Sequence, residues 1–178
     1  MDEMVDPAGL EARVTAAAAA IAASLGAEHR ILPCDPALAD TAQFCEAYGY
    51  SLDDSANTIV VTAKSDPPRH VACVALATTR LDVNGLIRRR LEARKASFAG
   101  AGDTVELTGM EIGGVTAFGL PAGLPLWVDS AVMERKRIVL GGGSRSWKVI
   151  APPSILLTLP DVEVVEGLAA AAPPRPTE

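Results

Sequence analysis

The chain has 178 residues, a mass of 18.4 kDa, a hydrophobic fraction of 49% and a net charge of −6. That length suits one domain, and with only 4% aromatic residues its core has to be aliphatic. The acidic balance excludes the broad positive surface of a non-specific duplex binder, so DNA is not an expected partner.

In chain order the first signal is Asp6-Pro7, a helix cap followed by proline in the first turn, with Leu10, Val14, Ala17, Ile21 and Leu25 recurring at helical spacing up to Gly26. Asp35-Pro36 repeats the start signal before a second helix, "ALADTAQFCEAYG", closed by Gly49. The period then changes. "NTIVVTA" and "HVACVALATT", separated by "KSDPPR", predict two antiparallel strands. "VNGLIRRRLEARKASF" returns to helical spacing, and "LPLWVD" and "RIVLGGGSRSWKVIA" are strands again, the latter bent or reversed at Gly141-Gly142-Gly143. "PPSILLTL" starts a short helix, "VEVVEGLA" is a closing strand, and residues 171–178 are expected as a disordered tail after a domain of residues 1–170.

This order lacks the regular β-α-β alternation of a doubly wound sheet, so the expected class is α+β. The fold expected is a single domain with a curved mixed, partly barrel-like sheet and flanking helices. Three cysteines, Cys34, Cys45 and Cys73, show no C-x-x-C spacing, and only His29 and His70 could join them. A disulfide framework and a zinc cluster are therefore both unexpected, as is any other cofactor. An acidic start and the absence of an apolar run of about 18 residues predict a cytoplasmic protein without a membrane partner.

The stretch "TGMEIGGVTAFGLP" concentrates four glycines before a proline. It lacks the G-x-G-x-x-G spacing of a dinucleotide fingerprint, and neither it nor "GGGSRS" holds the G-K-[ST] of a P-loop. No G-x-S-x-G elbow is present either. Such a run asks for unusual φ angles, or for backbone that something else approaches closely.

Taken together, "TAQFCEAYGYSLDDSANTIVV", "VACVALATTRLDVNGL", "ELTGMEIGGVTAFGLP", "LPLWVDSAVME" and "IVLGGGSRSWKVIAPPSIL" resemble, in order over roughly Thr41 to Ala169, the YbaK/prolyl-tRNA-synthetase-associated editing domains. That family hydrolyses amino acids wrongly esterified to tRNA. The resemblance implies that Gly113, Gly114, Val115, Thr116 and Ala117 form a pocket wall whose backbone amides hold the aminoacyl group. Ala117 stands where the family's loop has proline. Asn57 stands where the family usually shows lysine, and its amide offers only neutral hydrogen bonds. Lys64 cannot substitute: seven residues on, it faces the other side of a strand, roughly 23 Å away.

Arg80, Arg145 and Lys148 are alternative cations, Arg145 being the one assigned to substrate binding. Asp129, matching an acidic position of the family, is expected with Asn57 and Gly113 in the reacting centre, holding the substrate amine or a water. Arg88, Arg89, Arg90 and Lys95 form a basic run suited to a tRNA backbone, and Trp127 and Trp147 could stack a base. The implied function is trans-acting hydrolysis of mischarged aminoacyl-tRNA without a metal. The alternative is a catalytically impaired member that binds aminoacyl-tRNA or a small amino-acid-like ligand. The amino acid and the oligomeric state stay open.

Overall fold

The computed structural model describes residues 7–25 and 29–172. Helix α1 (Pro7–Leu25) buries Leu10, Val14, Ala18 and Ala22, a stripe at strict four-residue spacing. The expected cap Asp6 and stop Gly26 lie outside the described residues. A short strand β1 (Arg30–Pro33), not foreseen, follows. The Asp35-Pro36 signal starts only a single 3-10 turn (Pro36–Leu38), Asp35 Oδ1 accepting from Ala37 N at 2.9 Å, and α2 (Thr41–Tyr48) begins afresh after Asp40.

Strands β2 (Ala56–Ala63) and β3 (Arg69–Leu76) pair antiparallel over their whole length, with Thr58 opposite Val74. β4 (Thr79–Leu81) then leads to a π-turn (Val83–Ile87) and the one-turn α3 (Arg88–Arg90). The long helix expected over 83–98 is thus cut short. Asp82 caps Gly85 N and Leu86 N at 2.9 and 2.8 Å, Glu92 takes φ 49°, and β5 (Ala96–Phe98) is drawn onto the free edge of β2. Tertiary pairing overrides the helical pattern there.

After α4 (Ala101–Thr108), also unforeseen, come β6 (Leu126–Asp129), α5 (Ser130–Met133), β7 (Ile138–Gly141) and β8 (Trp147–Ala151). A 3-10 helix (Pro153–Thr158), β9 (Val162–Val165) and β10 (Ala169–Ala171) complete the chain. The last is a correction: β10 pairs with β4, and Ala172 N donates to Thr78 O, so the expected tail at 171 is still structured.

The class is the expected α+β single domain, with a mixed sheet in the order β5-β2-β3-β6-β9. β6 lies parallel to β3 and β9, while β1-β8-β7 make a second, antiparallel sheet. The sheets stay open rather than closing into a barrel. One face of the mixed sheet packs with α1, β7 and β8 around Phe118, Leu126 and Leu140. The other is covered by Val83, Ile87 and Leu91. A smaller cluster of Cys34, Phe44, Cys45, Val139 and Ile150 seats α2 on the β7-β8 hairpin. All three cysteines are buried and unpaired, and burial pushes the Cys73 thiol up to about 12. No described helix is long and apolar enough to cross a membrane.

Candidate functional site

β2 meets β5 only through Val61, Thr62 and Ala63. Ala99 N donates to Val60 O and Lys64 N to Lys95 O, both at 2.9 Å. In an antiparallel strand both peptide groups of a residue leave on one side, alternating along the chain. Those of Thr58 therefore face the stretch of edge that β5 does not cover. A cavity of about 450 Å³ opens there, the size of a small-ligand cleft.

Four of its walls are β2 from Ala56 to Val60, the segment Ala39–Thr41 with Phe44, the start of α4 at Ala101 and Thr104, and the loop at Ile112, Gly113 and Val115. Val139, Leu140, Gly141 and Lys148 close it from the hairpin.

The glycine run acquires a reason here. Gly113 takes φ 89°, a conformation costly for any residue with a β-carbon. The loop is then docked onto the triglycine turn: Gly143 N donates to Gly114 O at 2.6 Å and Glu111 N to Gly143 O at 3.0 Å. Ser144, itself buried, donates to the Glu11 carboxylate of α1, which ties the turn to that helix. Two glycine-rich segments thus meet backbone to backbone, and Gly113 is presented to the cavity.

The structure brings together only some of the residues singled out from the sequence. Asn57, Gly113 and Val115 line the cavity. Gly114 lies behind them against Ser144. Thr116 and Ala117 are 0% and 2% exposed and turn into the core, with Thr116 Oγ1 lacking a partner among the described residues. Arg145 is not among the lining residues; its guanidinium packs against Gly113. It donates to Pro36 O at 2.9 Å and to Asp40 Oδ1 at 3.0 Å, while its own amide donates to Glu111 Oε2 at 2.8 Å. It therefore clamps the loop to the segment before α2.

Asp129 does not border the cavity. It is 2% exposed, and both carboxylate oxygens are occupied: Oδ1 caps α5 at Ala131 N (3.0 Å) and Oδ2 accepts from Ala169 N (2.9 Å). Its place in a reacting centre is corrected to a tie between β6, α5 and β10. Of the basic run, Arg90 pairs with Glu163 at 2.5 Å above the Trp127 ring, and Arg88 Nε donates to Asn84 O. Arg89 and Lys95 are exposed. Trp127 packs in the layer opposite α1 and neither tryptophan lines the cavity.

Asn57 itself is held in place, its Oδ1 accepting from Thr41 Oγ1 at 2.9 Å. The residue that sequence reasoning undervalued is Lys148. It is 6% exposed, lines the cavity and donates from Nζ to Ala39 O at 2.7 Å. Burial lowers its pKa from the usual lysine value. The signal was present in "WKVIA": on a strand Lys148 shares a face with Ile150, which is a core position. Thr58, whose buried Oγ1 has no hydrogen-bond partner among the described residues, was also missed.

The fold is shared with solved structures. A crystal structure of a proposed trans-editing enzyme for prolyl tRNA synthetase superposes with a TM-score of 0.73 at 20% identity, covering 88% of this chain and 94% of that one. Hypothetical protein APE2540 gives 0.72 at 24% identity, over 84% and 96%. A scaffold used for computational epitope grafting gives 0.72 at 20%, over 88% and 95%. No curated protein matches by sequence. The profile of the aminoacyl-tRNA editing domain matches residues 35–157, a span that takes in every wall of the cavity, and the chain belongs to that family.

Proposed function

We propose that this chain hydrolyses the ester of mischarged aminoacyl-tRNA, acting in trans as the structural neighbour is described to do. The observation that carries the reading is the cavity on the uncovered edge of β2, walled by the Gly113 loop in a chain of this family. Water adds to the ester carbonyl, the bond between carbonyl carbon and ribose oxygen breaks, and the ribose oxygen takes the proton that the water gives up. The products are the free amino acid and tRNA with its hydroxyl restored.

Among the lining residues only Asp40 and Lys148 carry charge, and Asp40 is paired with Arg145. No free carboxylate or histidine among the described residues is placed to act as general base. Rate enhancement then rests on orientation of the ester and on fixed donors aimed at the developing oxyanion. One such donor is worth roughly 10²–10³ in rate. The aliphatic walls at Ile59, Val60, Val115 and Leu140 suit a small apolar side chain such as that of alanine.

A deacylation assay on tRNAs charged with amino acids of increasing size tests this. Turnover that falls with side-chain size is expected. An intact ester across the whole panel, with measurable binding, would favour a binding module, a reading that the lack of a free base in the wall also favours.

A further inference from the structure

Lys148 brings a charge to the cavity wall that makes no ion pair among the described residues; Asp40, the acid whose field reaches it, is paired with Arg145. β8 pairs with β1 on one side and β7 on the other, placing Lys148 between Leu32 and Gly141. From there its side chain runs beside Phe44, whose ring centroid lies 5.3 Å from Nζ. An ammonium has three hydrogens to donate. One goes to Ala39 O at 2.7 Å. Among the described residues no carboxylate comes within ion-pair distance of Nζ, and the neighbouring Asp40 is held by Arg145 at 3.0 Å. A buried charge with so few protein partners is costly. Oxygen atoms of a ligand in the cavity would supply what is missing.

Asn57 is carried on the same support. Ala39 O receives Lys148, and Thr41 Oγ1 donates to Asn57. These two residues are next but one in sequence, so their α-carbons are at most about 7 Å apart. The amide and the ammonium therefore serve one end of the cavity. Two polar groups of different kinds, one neutral and one charged, thus line the same cavity as Thr58.

We propose that Lys148 is the cation that binds the reacting end of the substrate, the ester oxygens of an aminoacyl-ribose, so that the positive charge missing at Asn57 enters the site from β8 instead. The assignment rests on the deacylase reading for its substrate. Its role is contact with the ester carbonyl oxygen as negative charge develops there, while Thr41 orients the Asn57 amide beside it.

The test uses the full chain and two probes: alanyl-adenosine with an amide in place of the ester, which has no phosphate and cannot be hydrolysed, and adenosine 5′-monophosphate. Lys148→Met is expected to weaken binding of the amide analogue at least about tenfold, the loss of one charge-assisted hydrogen bond. Binding of the monophosphate should not change. Lys148→Arg should retain most of the affinity, and the double variant Lys148→Met, Asn57→Lys should recover it from the other strand. Thermal midpoints of all variants establish that each is folded.

Unchanged analogue binding in Lys148→Met would overturn the assignment, as would a loss confined to the monophosphate or a wild-type chain that does not bind the analogue. So would a loss that neither Lys148→Arg nor the double variant restores. Deacylation by Lys148→Met at the wild-type rate would remove Lys148 and leave the deacylase reading standing. Analogue binding that needs Lys148, in a chain that hydrolyses no charged tRNA, would do the reverse.

Discussion

Gly141 on β7 faces the carbonyl oxygen of Val115 so closely that a β-carbon at Gly141 would stand 2.6 Å from it, and 2.7 Å from that of Gly114. Both obstacles are backbone, which cannot swing aside. Gly141→Ala must push the loop that presents Gly113 to the cavity. A destabilisation of roughly 1–3 kcal/mol is expected from such overpacking, together with a fall in deacylation larger than loss of folded protein explains. Urea titration and activity per folded molecule measure the two effects. Gly102→Ala in α4, with open space around it, is the control and should stabilise by about 0.5–1 kcal/mol.

Asp129 provides a contrasting case, a carboxylate whose work is structural. Its two oxygens accept from Ala131 N and Ala169 N, and removing them strands two part-buried amides. Asp129→Ala should cost about 3 kcal/mol, two hydrogen bonds to a charged group being lost. The cavity is not touched, so the folded fraction should bind the amide analogue as wild type does. A loss of analogue binding with an unchanged midpoint would return Asp129 to the site.

What could be read from the sequence followed the range of the interactions involved. The strand pair around "KSDPPR" was legible because alternation and turn residues act locally, and β2-β3 is as expected. The stretch 83–98 has an apolar spacing that permits one long helix, and only the vacant edge of β2 makes Ala96–Phe98 a strand. α4 was missed because "AGDTVELT" carries only a weak apolar stripe and begins after Gly100 rather than after a side-chain cap. In the site, the glycine loop and Asn57 stood out by composition and by family pattern. Lys148 did not, because what matters about it is burial beside α2, a contact with Ala39 that lies 109 residues away. Asp129 was misplaced for the same reason: its partner Ala169 is 40 residues distant.

The RNA-binding surface gives a prediction with two arms. Arg90 is exposed but paired with Glu163, and Arg88 donates to Asn84 O, which leaves Arg89 and Lys95 as the exposed members of that run outside those contacts. A second basic surface, a groove lined by His29, Arg30, Lys136 and Arg137, adjoins β7 and β8, the strands that bring Val139 and Lys148 to the cavity. tRNA binding should be weak and salt-sensitive, losing about one unit of salt slope for each phosphate contact removed. Charge reversal at Arg30, Lys136 and Arg137 is expected to cost more affinity than reversal at Arg88, Arg89 and Arg90. Equal losses, or a larger loss from the second set, would move the path of the RNA to α3.

Lys148 should also leave a mark on stability, with a sign that can be worked out in advance. Burial lowers its pKa below the ordinary 10.5 in the folded chain. Between the folded value and 10.5 the unfolded chain binds more protons, so the stabilisation against unfolding rises with pH. Below both values the lysine is charged in either state, and the folded state bears the full desolvation cost. Cys73 acts the other way: its thiol, raised to about 12, makes the folded chain hold a proton longer, so its contribution falls as pH rises above 9.0. That contribution is common to wild type and Lys148→Met and cancels in their difference. Urea unfolding of the two proteins from pH 7 to pH 10 should therefore show Lys148→Met at least as stable as wild type at pH 7, with the gap moving in favour of wild type as pH rises. A gap independent of pH would mean that the ammonium is solvated in the cavity and is not held uncompensated in its wall.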